Sequence, residues 1–153
     1  MDDKVNNYWF VIPARKGSKR FPLKNRKLVP LTLTQLDKQW IEKTIITTND
    51  SYIVEIGKSQ GAHVHNRSEK NSSDNASMKD TLKEVISDFN IPKNDILICL
   101  YPTYPQRTIK NIVLAIDFFK KSGANSMLCK KDIKSHPYLC MRDMGDNKGS
   151  LFI

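Results

Sequence analysis

The sequence has little of what marks several large classes of protein. Its three cysteines, Cys99, Cys129 and Cys140, form no Cys-x-x-Cys pair, so neither a disulfide framework nor a redox motif is predicted. The three histidines do not complete a set with metal-ligand spacing, and no structural zinc site is expected. No apolar run approaches the ~20 residues that cross a membrane. The acidic, polar first four residues do not have the pattern of a secretory signal peptide, so we expect a cytoplasmic protein.

Negative charge is also scarce. There are 16 Asp and Glu against 25 Lys and Arg, which gives a formal net charge of +9, and the lysines are spread along the whole chain. Such an excess favours anionic ligands, whether nucleic acid, nucleotide or phosphorylated sugar, without choosing among them. With 39% hydrophobic and 27% charged residues the composition is that of a folded globular protein. The length predicts a single domain over residues 1–153.

Strand and helix patterns alternate along the chain. Short apolar or β-branched runs predict strands, and apolar residues at helical spacing predict the helices between them. The predicted strands are residues 8–12, 44–48, 62–66, 95–100 and 126–129. The predicted helices are a short one with Leu33, Leu36 and Trp40 on one face, and longer ones over 51–60, 78–89 and 109–122. This alternation predicts an α/β fold with a doubly wound, mostly parallel sheet and helices on both faces.

In such a sheet the ligand site lies beyond the carboxyl ends of the strands, which singles out the loops 14–25, 67–77 and 101–107. The first of these loops is dense in Lys and Arg and directly follows a buried strand. Gly17 permits close backbone approach, while Arg15, Lys19 and Lys24 could converge on phosphates. The loop has neither the Walker A nor the GxGxxG pattern. From the residues alone, nucleotide binding and a merely solvated basic loop both stay open.

Five segments resemble one known family. Residues 12–25 read Ile-Pro-Ala-Arg-Lys-Gly-Ser-Lys-Arg-Phe-Pro-Leu-Lys-Asn, which is similar to the signature of the acylneuraminate cytidylyltransferase (CMP-sialic acid synthetase) family. Segments that resemble later motifs of that family follow in the same order. They are residues 46–50 (Ile-Thr-Thr-Asn-Asp), 67–77, 101–108 (Tyr-Pro-Thr-Tyr-Pro-Gln-Arg-Thr) and 136–138 (His-Pro-Tyr). The resemblance implies a Rossmann-like fold of the nucleotide-diphospho-sugar transferase type.

The resemblance also implies a reaction. Members of the family transfer CMP from CTP to an acidic sugar of the sialic acid class, release pyrophosphate and use Mg²⁺. Carried over by position, the catalytic residues would be Lys19 and Arg15, which neutralise charge and position the phosphates. The nucleotide-binding residues would be Ala14, Arg15, Gly17, Ser18, Lys19, Lys24, Asn25, Arg67, Ala76 and Ser77. The sugar substrate would meet Tyr101, Thr103 and Arg107.

The chain departs from the family pattern at several positions. Tyr101 stands where the family usually has Gln, Met78 where a hydroxyl is usual, and Asn49 where the second-strand motif begins with Asp. The C-terminal part of the family, with its sugar-presenting, dimer-forming and Asp-x-Asp metal segments, is absent from this sequence. We therefore expect no protein metal ligand, Mg²⁺ held by the triphosphate and water, and a monomer or weak homodimer.

Two other functions stay open. The chain could be a catalytically inactive nucleotide-binding remnant or regulatory module that keeps the basic loop. A basic nucleic-acid-binding protein is less favoured, because the sequence offers no recognition helix, zinc finger or RNP-like aromatic strand.

Overall fold

The computed structural model describes residues 8–17, 21–73, 75–129, 141–144 and 149–151. Of the residues singled out above, Ser18, Lys19, Cys140 and the segment 136–138 lie outside this part of the chain. The chain forms two compact units, residues 1–112 and 113–153.

A four-stranded parallel sheet organises the first unit, in the order β3-β2-β1-β4. The bounds are β1 Tyr8–Pro13, β2 Thr44–Thr48, β3 His63–Asn66 and β4 Ile96–Cys99. The register places Val11 of β1 beside Ile45 of β2 and Cys99 of β4. The first four predicted strands are thus confirmed, as is the α/β class. The apolar run in β1 and the β-branched run in β2 are buried almost without interruption, because helices cover both faces of the sheet.

Six helices connect and follow these strands. They are α1 Lys24–Leu33, α2 Lys38–Ile41, α3 Ser51–Ser59, α4 Glu69–Ser72, α5 Met78–Asp88 and α6 Ile109–Ser122. The predicted helix over Leu33, Leu36 and Trp40 is wrong as one element. Helix α1 ends at Leu33 and α2 begins at Lys38. All three side chains are buried, but Leu33 belongs to α1, Leu36 to the turn between the helices and Trp40 to α2. The loop predicted at 14–25 is shorter than expected, because α1 already starts at Lys24. The loop predicted at 67–77 contains the short helix α4.

The predicted strand at 126–129 is also wrong. These residues have no strand assignment, and Leu128 is 90% exposed. A strand exists only where its backbone groups pair with a neighbour, and among the described residues this segment finds none. The second unit instead contains a short antiparallel pair, β5 Met141–Asp143 with β6 Gly149–Leu151, which the sequence did not predict.

Helices cover both faces of the parallel sheet, which confirms the doubly wound arrangement. On one face Phe10 of β1 stacks on Trp40 of α2 with ring centroids 5.0 Å apart. On the opposite face strand and α5 residues form a buried cluster. Its members are Val11, Ile45, Val85 and Ile91, with Trp9, Leu82, Phe89 and Leu97 packed against them. Among the described residues, no helix is long and apolar enough to cross a membrane.

Candidate functional site

The strand order places three loops at the carboxyl edge of the sheet. The chain proceeds from β1 through β2 to β3 on one side and then returns to β4 on the other side of β1. The change of direction between β1 and β4 is a topological switch point, where doubly wound sheets bind ligands. The loops after β1, β3 and β4 are those that the sequence singled out.

The backbone after β1 is held by the end of β2. The Ala14 N–H donates to the Thr47 carbonyl at 3.0 Å, and the Ala14 carbonyl accepts from the Thr48 hydroxyl at 2.7 Å. The Ala14 side chain is fully buried. Ala14 thus sets the direction in which the loop leaves the sheet.

The next residues are fixed by two asparagines. The Lys16 N–H donates to Asn49 Oδ1 at 2.7 Å, and Asn25 Nδ2 donates to the Arg15 carbonyl at 2.8 Å. Gly17 then adopts φ +84°, with open space where a Cβ would stand. Glycine takes this left-handed conformation without strain. The loop is therefore held rigidly up to the residue where the phosphates are expected to approach.

Helix α1 begins immediately beyond this loop. Its N-cap residue, Leu23, has φ 57° and supplies no side-chain hydrogen bond to the first turn. Lys24 and Asn25 lie in that first turn. The Lys24 N–H donates to the Phe21 carbonyl at 3.2 Å, no side chain caps the turn, and the helix dipole there favours an anion. The sequence assigned both residues to a loop because Leu23 carries no capping signal.

The buried carboxylate of Asp50 joins α1 to α3. Asp50 Oδ1 accepts from the Tyr52 N–H at 3.1 Å as the N-cap of α3, and Oδ2 accepts from Arg26 Nε at 2.8 Å. Burial alone would raise the pKa of this carboxyl, but the hydrogen bonds from Arg26 and the Tyr52 amide outweigh it and lower the pKa. The carboxylate is therefore ionised at neutral pH and stabilises the fold beside the loop.

We expect Asp50→Ala to lower the free energy of unfolding by about 2 kcal/mol, because α3 loses its cap. Asp50→Asn keeps an acceptor for the Tyr52 amide and should lose less. The folded-state pKa lies below the unfolded value of about 3.9, so the ionic contribution is complete above that value and disappears as the pH falls through the folded pKa. Urea unfolding of the three proteins at neutral and acidic pH measures this, and equal stability of Asp50→Ala and the parent would contradict it.

Two arginines from different loops meet at the end of α4. Arg67 is 8% exposed, and its Nε donates to the Asn71 carbonyl at 2.6 Å while Nη2 donates to the Thr81 hydroxyl at 2.9 Å. Arg15 Nη1 donates to the Ser72 carbonyl at 3.4 Å. Burial lowers the pKa of the Arg67 guanidinium, and the positive charge of Arg15 lowers it further. The structure thus brings the loops after β1 and β3 together as a positive site.

Ala76 and Ser77 precede α5. The Ser77 hydroxyl accepts from the Lys79 N–H at 3.1 Å as the N-cap of α5, and the Ala76 N–H donates to the Ser73 carbonyl at 3.2 Å. The Ser77 hydroxyl accepts this bond with one lone pair and keeps its O–H as a donor.

The loop after β4 carries the predicted sugar-binding residues. Arg107 Nη2 donates to the Tyr101 carbonyl at 2.8 Å, and its guanidinium lies 5.9 Å from the Tyr104 ring centre. Thr103 is exposed beside them. Burial raises the pKa of the Cys99 thiol, which also contacts the Tyr101 side chain, to about 11. This thiol is protonated at neutral pH and unsuited to nucleophilic chemistry.

No motif or spacing in the sequence indicated that α3 contributes to a groove. An open groove of about 470 Å³ lies beyond the ends of β2 and β3, a size suited to a small-molecule ligand. Its lining residues are Thr48, Asn49, Ser51, Val54, Glu55, Lys58, Asn66 and Arg67. The α3 residues reach it because Asp50 caps the helix beside the strand ends. Their helical spacing alone indicated only an ordinary surface helix.

Comparison with known proteins places the chain in a family. A model of the cytidylyltransferase family matches residues 9–137. The N-acylneuraminate cytidylyltransferase of Streptococcus agalactiae serotype V is 28% identical over 84% of this chain and 33% of its own length. The CMP-N,N'-diacetyllegionaminic acid synthase of Legionella pneumophila is 30% identical over 92% of this chain and 64% of its own length. The chain belongs to the cytidylyltransferase family.

A solved structure supports the fold. The structure of a cytidylyltransferase from Leptospira borgpetersenii matches with a TM-score of 0.62 and 23% identity, over 76% of this chain and 50% of that one. The chain thus spans from about a third to about two thirds of the length of these relatives.

Membership of this family suggests a divalent metal, so we examined the carboxylates. Among the described residues, no three His, Cys, Asp or Glu side chains are grouped so that they could hold a metal ion. Asp50 binds Arg26, and Glu84 accepts a hydrogen bond from Asn71. The described part of the chain therefore does not fit a protein ligand set for Mg²⁺.

Proposed function

We propose that this chain binds CTP at the carboxyl edge of its sheet and transfers CMP to a hydroxyl of an acidic sugar. The hydroxyl oxygen would attack the α-phosphorus, the bond from that phosphorus to the β-phosphate oxygen would break, and pyrophosphate would leave. The observation that carries the proposal is the convergence of Arg15 and Arg67 on the end of α4, beside a hydrogen-bonded loop and the first turn of α1. Family membership supports it.

The residues divide into three proposed roles. Arg15 and Lys19 neutralise and position the phosphates, because little covalent chemistry is left to the protein in such a displacement. The remaining nucleotide contacts are assigned to Ala14, Gly17, Ser18, Lys24, Asn25, Arg67, Ala76 and Ser77. The Ser77 hydroxyl caps α5 as an acceptor and keeps its O–H to donate to the ligand. Tyr101, Thr103 and Arg107 face the sugar acid, with the guanidinium of Arg107 suited to a carboxylate. Mg²⁺ would accompany the triphosphate.

For the acceptor we propose a sialic acid-like nonulosonic acid. The names of the streptococcal and Legionella relatives specify an N-acylneuraminate and an N,N'-diacetyllegionaminic acid. The finer proposals of a cytoplasmic location and a monomer or weak homodimer accompany this function.

Nucleotide binding without transfer is the second candidate. It is favoured by Asn49, which stands where the family usually has Asp and whose side-chain oxygen accepts from the backbone of Lys16. Pyrophosphate release with CTP, Mg²⁺ and a panel of nonulosonic and octulosonic acids separates the two. Release above the blank supports transfer, and its absence in a protein that binds CTP supports the second candidate.

Calorimetric titration with CTP in the presence of Mg²⁺, with ATP, GTP and UTP as comparators, tests the proposed ligand. We expect CTP-selective binding that is weakened about tenfold or more in Lys19→Ala, since a cation facing phosphate contributes on the order of 1.5–3 kcal/mol. The matched control is Lys93→Ala, an exposed lysine before the amino end of β4, at the opposite edge of the sheet. Equal affinity of the two variants, or no binding of any nucleotide, would contradict the proposal. Salt-sensitive DNA binding in place of CTP binding would indicate the nucleic-acid alternative.

A further inference from the structure

The short helix α4 receives an arginine on each of its last two residues. Arg67 Nε donates to the Asn71 carbonyl and Arg15 Nη1 to the Ser72 carbonyl. These carbonyls are the negative end of the helix, which attracts a cation. The two guanidinium groups nevertheless repel each other, so α4 must be held firmly if it is to keep both in place.

Four residues cannot form a stable helix by themselves. Helix α4 is fastened to α5 by the side chain of Asn71. The Asn71 side chain is directed toward α5, where Nδ2 donates to Glu84 Oε2 at 2.9 Å. Asn71 is 8% exposed, and its backbone N–H is directed to the Ser68 hydroxyl at 3.3 Å. The hydrogen bond from Asn71 is the main cause that lowers the pKa of the Glu84 carboxyl. Glu84 is therefore a charged acceptor, the stronger kind of partner for the amide.

We infer that Asn71 and Glu84 are positioning residues for Arg67. The same residue, Asn71, binds α5 through its side-chain amide and Arg67 Nε through its backbone carbonyl. Thr81 holds Nη2 separately, so the Asn71–Glu84 hydrogen bond positions the Nε side of the guanidinium. Neither residue belongs to the predicted binding set. The consequence for CTP affinity rests on the proposed function, whereas the positioning of Arg67 is a property of the chain itself.

The surroundings of Glu84 supply a control. His65 Nε2 lies 4.0 Å from Glu84 Oε2 and 3.1 Å from Asp88 Oδ2, one turn further along α5. On its other side the His65 ring contacts the Thr47 hydroxyl at 2.9 Å. Asp88, like Glu84, is an acidic residue of α5 whose carboxylate faces His65. The Asn71 amide donates to Glu84 and not to Asp88. Asp88→Asn removes one negative charge without touching the proposed hydrogen bond.

The test exchanges the two partners. Asn71→Asp places a second carboxylate against Glu84, and we expect the dissociation constant for CTP to rise about tenfold, because the two like charges repel and the hydrogen bond that holds α4 to α5 is lost. In the double variant Asn71→Asp/Glu84→Gln the glutamine donates and the aspartate accepts, the reverse of the parent, and affinity should return to within about threefold of the parent. Glu84→Gln alone keeps an uncharged acceptor for Asn71 and for Ser68, which also bonds Glu84, and should cost about threefold. Asp88→Asn should leave the affinity unchanged.

The rate at which the Arg67 Nε–H exchanges with solvent, measured by NMR on the ¹⁵N-labelled protein, reports on the position of the guanidinium in the absence of nucleotide. We expect a protected signal in the parent, lost protection in Asn71→Asp and recovery in the double variant, with thermal melts run alongside. If Asn71→Asp does not fold, the two measurements on Glu84→Gln, its CTP affinity and the exchange of its Arg67 Nε–H, decide instead. Unchanged protection in the folded single variants, or a double variant that stays impaired, would overturn the inference. A parent that binds no CTP but shows this exchange pattern would refute the proposed function and support the positioning.

Discussion

Arg67→Met is expected to raise the dissociation constant for CTP by about 30-fold, the largest effect of any single substitution on binding. The substitution keeps most of the apolar length of the side chain but removes the charge and every N–H donor of the guanidinium. Hydrogen bonds that involve a charged group contribute about 1.5–3 kcal/mol, which corresponds to 10-fold or more in affinity. The Asn71 carbonyl and the Thr81 hydroxyl would also lose their donor, so the loop before α5 would shift.

Arg67→Lys separates charge from geometry. An ammonium keeps the charge but cannot reproduce the fixed spacing with which Nε and Nη2 reach two acceptors, and we expect an effect of about tenfold. Lys70→Met is the matched control, because Lys70 is an exposed cation on α4, the short helix whose end Arg67 contacts. Calorimetric titration with CTP measures all three. Affinities for Arg67→Met and Lys70→Met that agree would show that Arg67 does not contribute to the site.

Phe10→Ala is expected to lower the free energy of unfolding by about 4 kcal/mol, the largest effect on stability. Phe10 is 1% exposed in a central strand and stacks on Trp40. Its removal takes apolar surface out of the core and leaves a cavity that rigid neighbours cannot fill. Since small domains have about 5–15 kcal/mol in total, the variant would be close to unfolding.

Urea unfolding provides the measurement, with Phe118→Ala as the control. Phe118 lies on α6 and is 67% exposed, so its loss should change the stability by no more than about 0.5 kcal/mol. Similar midpoints for the two variants would show that the core does not depend on Phe10 in the way described.

Local pattern was sufficient for most of the parallel-sheet architecture. The apolar run in β1, the β-branched run in β2 and the helical spacing in α5 each have one low-energy way to be buried, so periodicity identified them. It failed at 126–129, where an apolar segment finds no pairing partner in the described part of the chain and forms no strand. It also failed between Leu33 and Trp40, where residues with a shared helical phase are buried from two separate segments.

The sequence by itself determined the fold class, the family and the three loops at the ligand edge, because motifs and hydrophobic periodicity are local properties of the chain. Only the tertiary structure decided how those loops meet. Arg15 and Ser72 are 57 positions apart, and Asn71 and Glu84 join two helices that no motif connects. Such contacts depend on strand order and on which buried polar groups find partners once the sheet has formed. The residues that hold the arginines therefore carry no sequence signal, although the arginines themselves do.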